Sequence, residues 1–146
     1  MSKVTITLGL EVGFFNGRAM NVDITAGDHH HQYSNIHESY ITHKFVAEWP
    51  VQIFCRCSNK DMENDSYFDE QGHLVENKYV RLDSLSINGF PLMPHNLYHV
   101  TMFNEQPETF WDTNDTAIIT LDNDDPISFL LSINNPLGIG RNNETE

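Results

Sequence analysis

From Val80 to Ile87 apolar and polar side chains alternate with a period of two, which no helix can turn to one face. Val80, Leu82, Leu85 and Ile87 are apolar, Arg81, Asp83, Ser84 and Ser86 are polar, and Asn88-Gly89 closes the run. The pattern predicts a strand with one buried face. Its phase slips once at Asp83-Ser84, where an extra residue would form a β-bulge, and Asn-Gly favours a tight hairpin turn.

The same alternation recurs along the chain. Val4, Ile6, Leu8, Leu10 and Val12 alternate with Thr5, Thr7, Gly9 and Glu11. Met20, Val22 and Ile24 stay in phase from Ala19 to Thr25, and the Asn16-Gly17 turn before them predicts a hairpin with the first strand. Tyr40 to Glu48 places Ile41, His43, Phe45 and Ala47 on one side, and Trp49-Pro50 ends it. Val51 to Cys57, Leu97 to Phe103, Thr116 to Leu121 and Ile127 to Ile133 are further strand candidates. Ala26 to Asn35 reads as a polar loop. Ser58 to Asn77 is the longest irregular stretch, with a tight turn at Asp69-Glu70-Gln71-Gly72. No comparable helical pattern occurs. About eight strands at regular spacing predict an all-β fold, an antiparallel, jelly-roll-like β-sandwich. One domain is expected over 1–141, with a flexible polar tail at 142–146.

The 146 residues carry 21 acidic and 8 basic side chains, a net charge of −13. Phosphate contacts need Lys and Arg, so this balance excludes a nucleic-acid surface and opposes docking on anionic lipid. It admits bound cations. No apolar stretch approaches membrane-spanning length, and no secretory apolar region opens the sequence, so a cytoplasmic or virion location is expected. Cys55 and Cys57 lie two apart on one strand and share a face, poor geometry for a disulfide. A soft-metal site built on them would need two further ligands, so they read as small core residues.

Chemistry has few places to reside. Asp61, Glu63 and Asp65 stand two apart in the acidic loop, with Asp69 following, and are candidate calcium ligands. An EF-hand is rejected, because Ser66 takes the position that demands Gly and Gly72 replaces the closing Glu. Asp112–Asp115 and Asp122–Asp125 read as turns at opposite ends of one strand. His29, His30, His31, His37 and His43 form a tract of the kind that takes zinc, copper or nickel. It lacks a His-Glu-x-x-His pattern and reads as loop histidines. There is no Gly-x-Ser-x-Gly and no phosphate-cradling loop, only a two-glycine echo at Gly138-Ile139-Gly140. Carboxylates are abundant, but abundance does not make a catalytic pair. Sugar rings stack on aromatic faces, and Trp49, Tyr67 and Trp111 lie in or beside polar segments, which makes them the candidate ligand-binding residues.

Val4-Thr5-Ile6-Thr7-Leu8, Val51–Cys57 after Trp49-Pro50, the loop from Asn59 to Asn77, and Lys78-Tyr79-Val80-Arg81-Leu82-Asp83-Ser84-Leu85-Ser86-Ile87-Asn88-Gly89 together give a layout. It resembles small calcium-dependent carbohydrate-binding modules of jelly-roll form, the xylan-binding kind in particular. The resemblance implies Asp61, Glu63, Asp65 and Asp69 as the calcium loop and carbohydrate as the partner. Members of that family are normally secreted and joined to an enzyme, whereas this sequence shows neither signal peptide nor linker. A free-standing acidic β-domain also looks like an accessory virion protein of a bacteriophage. The expected function is a non-catalytic recognition or assembly module that binds glycan through loops with calcium, or serves as a phage structural component. The alternatives are a homo-oligomer-forming structural protein without small ligand, and a metal-dependent or carboxylate hydrolase.

Overall fold

A computed structural model describes residues 2–61, 63–122 and 125–134. The expected tail at 142–146 and the Gly138-Gly140 echo lie outside the described residues. The elements in chain order are β1 (Lys3–Gly13), β2 (Asn21–Ala26), β3 (His29–Tyr33), β4 (Tyr40–Glu48), β5 (Val51–Ser58), β6 (Ser66–Phe68) and β7 (Leu74–Asn77). They continue with β8 (Tyr79–Ile87), β9 (Phe90–Pro91), a 3-10 turn at Pro94–Asn96, α1 (Leu97–Val100) and β10 (Thr101–Phe103). The last are β11 (Gln106–Pro107), β12 (Phe110–Trp111), β13 (Thr116–Leu121) and α2 (Pro126–Asn134).

The chain is an antiparallel β-sandwich. One sheet runs β12-β8-β1-β4 with β9 folded onto β8, the other runs β11-β10-β13-β5-β2-β3, and β6 and β7 pair only with each other. The path crosses between the two large sheets after β1, β3, β4, β5, β9, β11 and β12, in jelly-roll fashion. Lys3–Glu11 of β1 pairs with β4 and Ile6–Gly13 pairs with β8. Val4, Ile6, Leu8 and Leu10 of β1 and Leu82, Leu85 and Ile87 of β8 share one core with Val22, Ile24, Ile53, Cys55, Ile119 and Leu121 of the second sheet.

Several sequence expectations map onto atoms. Leu10 stands opposite Leu82 and Gly9 opposite Ser84, so Asp83 is the extra residue of a bulge. That bulge keeps Leu82 and Leu85 both inward across the phase slip. Asn88 and Gly89 take φ of 52° and 85°, as a two-residue hairpin turn requires. Gly9 has a steric reason: a Cβ there would lie 2.1 Å from the Tyr40 hydroxyl, which crosses the strand to donate to Asp83 at 3.1 Å.

Four expectations need correction. The Asn16-Gly17 turn forms, with Phe15 and Arg18 exchanging backbone hydrogen bonds of 2.8 and 3.0 Å. Yet β1 and β2 do not form a hairpin: β1 already has a partner on both edges, so β2 passes to the other sheet. The polar loop from Ala26 to Asn35 is instead the hairpin β2–β3, turning at Gly27-Asp28 and setting His31 opposite Ile24. Leu97 to Phe103 divides into α1, which buries Leu97 and Val100 three residues apart, and β10. Ile127 to Ile133 is part of helix α2. Asp125 caps it by accepting the Ser128 N–H at 2.7 Å, and Pro126 occupies the first turn. Among the described residues no helix is long and apolar enough to cross a membrane.

β3 and β4 end their respective sheets, and their side chains close this side of the sandwich. His43 is 6 % exposed, stands 2.8 Å from the Tyr33 hydroxyl through Nδ1, and stands 2.8 Å from His29 Nε2 through its own Nε2. The His29 ring stacks on Phe45 with centroids 4.6 Å apart. Burial first, then the neighbouring His29 and His31, pull the His43 pKa from 6.5 down to about 4.

Two outcomes follow from this packing. Leu8→Asp should lower unfolding stability by roughly 3–5 kcal/mol, since it buries an unpaired charge in a core site, and urea denaturation will read it as a lower midpoint. The unfolded chain protonates His43 more readily than the native one. Stability is therefore full above about pH 6.5 and falls as pH drops toward 4, by as much as about 3 kcal/mol. Denaturation in chelator-treated buffer between those limits should show the slope in the wild type and a shallower one in His43→Phe.

Candidate functional site

Beyond β5 the chain leaves the second sheet, runs out through β6 and β7, and returns into β8. An excursion of this size has little apolar core of its own, since Tyr67, Phe68 and Leu74 are all about half exposed. Polar anchors hold its root. Lys60 is buried and donates from Nζ to Asn77 Oδ1 at 2.5 Å and to the Asp112 carbonyl at 2.7 Å. Its backbone is clasped by Asn114, which accepts the Lys60 N–H at 3.0 Å and donates to the Lys60 carbonyl at 2.8 Å. Lys78, also buried, donates to the Asn59 carbonyl and pairs with Asp65 Oδ2, both at 2.9 Å. The same carboxylate oxygen accepts the Asp61 N–H at 2.7 Å.

These groups surround a polar hollow of about 510 Å³ lined by Arg18, Asn59, Lys60, Asp61, Asp65, Lys78 and Asn114. Burial lowers the pKa of Lys60 against the opposing pull of Asp112 and Asp65. Hydrogen bonds from the Asn64 side chain and from backbone N–H groups hold Asp61 below the usual carboxylate range. Burial pushes Asp65 up, but the Asp61 N–H and the Lys78 ammonium outweigh it, and the net shift is downward. Both carboxylates are thus ionised at neutral pH, with ammonium groups beside them.

The structure does not gather the four candidate calcium ligands. Asp61 and Asp65 are joined, but Asp61 spends its oxygens on the Glu63 and Asn64 N–H groups at 3.0 and 3.3 Å and on the Asn64 amide at 2.9 Å. Glu63 sits exposed in that turn. Asp69 caps the distant β6–β7 turn, accepting the Gln71 and His73 N–H groups at 3.0 and 2.8 Å. Among the described residues no three His, Cys, Asp or Glu side chains are arranged to hold a metal ion. Lys78 already supplies a cation to Asp65, so the residues present do not fit a calcium ion.

Of the aromatic candidates, only Tyr67 presents a face to solvent, at 56 % exposure. Trp111 is fully buried, with its indole N–H donating to the Glu108 carbonyl at 3.1 Å, and Trp49 is buried edge-on to Phe129. Both are core residues, because a sandwich of this size needs its largest apolar groups inside. The cysteines are buried free thiols, and burial raises the Cys57 pKa to about 12, which removes nucleophilic character. The lysines and asparagines around the hollow were not singled out from sequence. A signal was present: with only 8 basic residues in the chain, Lys60 and Lys78 stand at the two ends of its most acidic loop.

Neither a protein-family model nor a curated protein matches the chain. Two solved structures are similar, both of vCBM60. One is a selenomethionine form described with two families of calcium-dependent carbohydrate-binding modules linked by circular permutation. It is 12% identical over 84% of this chain and 96% of that one, with a TM-score of 0.47. The other holds vCBM60 in complex with galactobiose. It is 13% identical over 82% and 98% of the two chains, with a TM-score of 0.41.

Removing the Lys78 ammonium leaves Asp65 partly buried and unpaired. Lys78→Met should therefore cost about 3 kcal/mol at pH 7, and Lys78→Met/Asp65→Leu should recover part of it, as denaturation of the double-mutant cycle will show. Asp65 titrates below its ordinary 3.8, so its contribution is full above that pH and is lost as pH falls through the lower native value. The gap between wild type and Lys78→Met should narrow there.

Proposed function

We propose that the chain is a non-catalytic glycan-recognition module whose binding surface is the hollow at the root of the Asn59–Lys78 excursion, with Tyr67 as its stacking face. The observation that carries this reading is the array of fixed donors and acceptors lining that hollow, beside a hairpin that carries an exposed aromatic ring. Ser66 donates to the same Asn77 Oδ1 that receives Lys60, which ties to the hollow the strand β6 that carries Tyr67 on its other face. A sugar offers hydroxyls that both donate and accept, beside an apolar ring face. Lys60, Lys78, Asp61, Asp65 and Asn114 answer the first, and Tyr67 the second. The neutral-pH ionisation of both carboxylates suits hydroxyl binding and leaves neither carboxyl protonated to act as a general acid. Calcium has no part in this reading, since Lys78 occupies the carboxylate it would need.

Calorimetry with xylan-derived and galactose-containing oligosaccharides tests the proposal. Binding is expected with the same affinity in calcium and in chelator, weakened about tenfold or more by Tyr67→Ala, a loss on the scale of one base- or sugar-stacking contact. Binding that Tyr67→Ala and Asp61→Asn leave unchanged would refute this site.

A second reading, assembly with protein subunits as a homo-oligomer or a virion component, is favoured by α2. Ile127 and Leu131, one turn apart, are 71 % and 70 % exposed, and Phe90 is 65 % exposed. If assembly is the role, sedimentation should show a concentration-dependent oligomer that Ile127→Lys/Leu131→Lys dissolves.

A further inference from the structure

We propose that His29 and His43 are a chelating pair for a divalent transition-metal ion of the copper(II) class, held where β3 and β4 close the sandwich. The two Nε2 atoms lie 2.8 Å apart. Two imidazole nitrogens bound cis at about 2.0 Å in a tetragonal site are separated by about 2.8 Å, whereas tetrahedral zinc would open the pair to about 3.3 Å. The rings meet nearly head-on, with centroids 5.0 Å apart, so each must swing well off the shared axis about its own Nε2 to bring both lone pairs to one point.

The surroundings are those of a supported ligand pair. The Tyr33 hydroxyl lies 2.8 Å from His43 Nδ1. With Nδ1–H donating to that oxygen, the His43 lone pair sits on Nε2, aimed at His29. A hydrogen bond on the distal nitrogen is how metal-bound histidines are commonly oriented. His29 is fixed in plane by its stack on Phe45, at 4.6 Å and 4°. In the metal-free pair one N–H lies between the two rings. On binding, that proton moves to the other nitrogen of its own ring, so two neutral imidazoles bind the ion without net proton release.

On the His29 side the pair borders open space, while His43 itself is buried. His29 lines an open hollow of about 470 Å³ whose wall includes Asp28, Glu48 and Gln52. The net charge of −13 favours arrival of a cation. No third ligand is preplaced among the described residues. His31, exposed and with its ring 5.3 Å from that of His43, can swing in, and water fills the remaining positions.

The test is copper(II) titrated into the chelator-stripped full chain, followed by calorimetry and electron paramagnetic resonance. The expected result is one tightest site per chain with splitting from coordinated imidazole nitrogen. His29→Phe, which keeps an aromatic ring against Phe45, should weaken that site about tenfold or more, and Tyr33→Phe should weaken it less. The exposed-histidine variant His73→Ala/His99→Ala should leave it intact. Unchanged affinity in His29→Phe, or an equal loss in His73→Ala/His99→Ala, would mean binding by surface histidines only and would overturn the proposal. Should circular dichroism show His29→Phe unfolded, His29→Gln takes its place. A wild-type spectrum without imidazole nitrogen overturns the proposal on its own.

Discussion

Strand β1 is paired on both sides, and the rest of the sandwich is arranged around that fact. A buried backbone N–H or carbonyl must find a partner, and β1 finds its ladder partners in β4 and β8, with Ser39 and Asn88 completing the two edges. With both edges taken, the following strand cannot fold back on it, so the Asn16-Gly17 turn redirects the chain into the opposite sheet. The Asp83 bulge is part of the same arrangement. Without the extra residue, either Leu82 or Leu85 would point to solvent. The crossing that sends β2 away also makes β3 and β4 the outer strands of the two sheets, and so brings His29 and Tyr33 against His43.

The second organising element is electrostatic. The loop beyond β5 cannot close by hydrophobic burial, and its carboxylates repel one another. Lys60 and Lys78 solve both problems, since their stems lie among buried atoms while their ammonium groups satisfy Asp65, Asn77 and two backbone carbonyls. A resident ammonium does locally what a bound divalent ion would otherwise do. The root of the excursion is thereby both a structural anchor and an array of oriented polar groups, and the recognition surface proposed here is a by-product of that anchoring.

Legibility followed the range of the interaction. The strands at Val4–Val12, Val51–Cys57 and Val80–Ile87 were readable because alternation is a local property, and the bulge was readable as a phase slip within one run. Helix α2 was misread because a seven-residue apolar run has no decisive period. The Asp125-Pro126 start signal was the better guide. Trp49 and Trp111 were misread as surface groups because Glu48 and Asp112 stand beside them, and a polar neighbour does not report which way a side chain faces. The histidine run looked like a loop because its composition is polar, although Gly27-Asp28 already marked the turn that makes it an edge strand.

What this sequence determined by itself is the all-β class, the inward faces of the main strands and the positions of the turns, since each depends on residues within a few positions of one another. What only the tertiary structure decided is which strands pair, where the acidic loop finds its cations, and which histidines meet. Those depend on residues such as Lys60 with Asp112, or His29 with His43, that the chain brings together from 52 and 14 positions apart. No local pattern encodes such a meeting. It follows from which strand edges remain open once β1 has been paired.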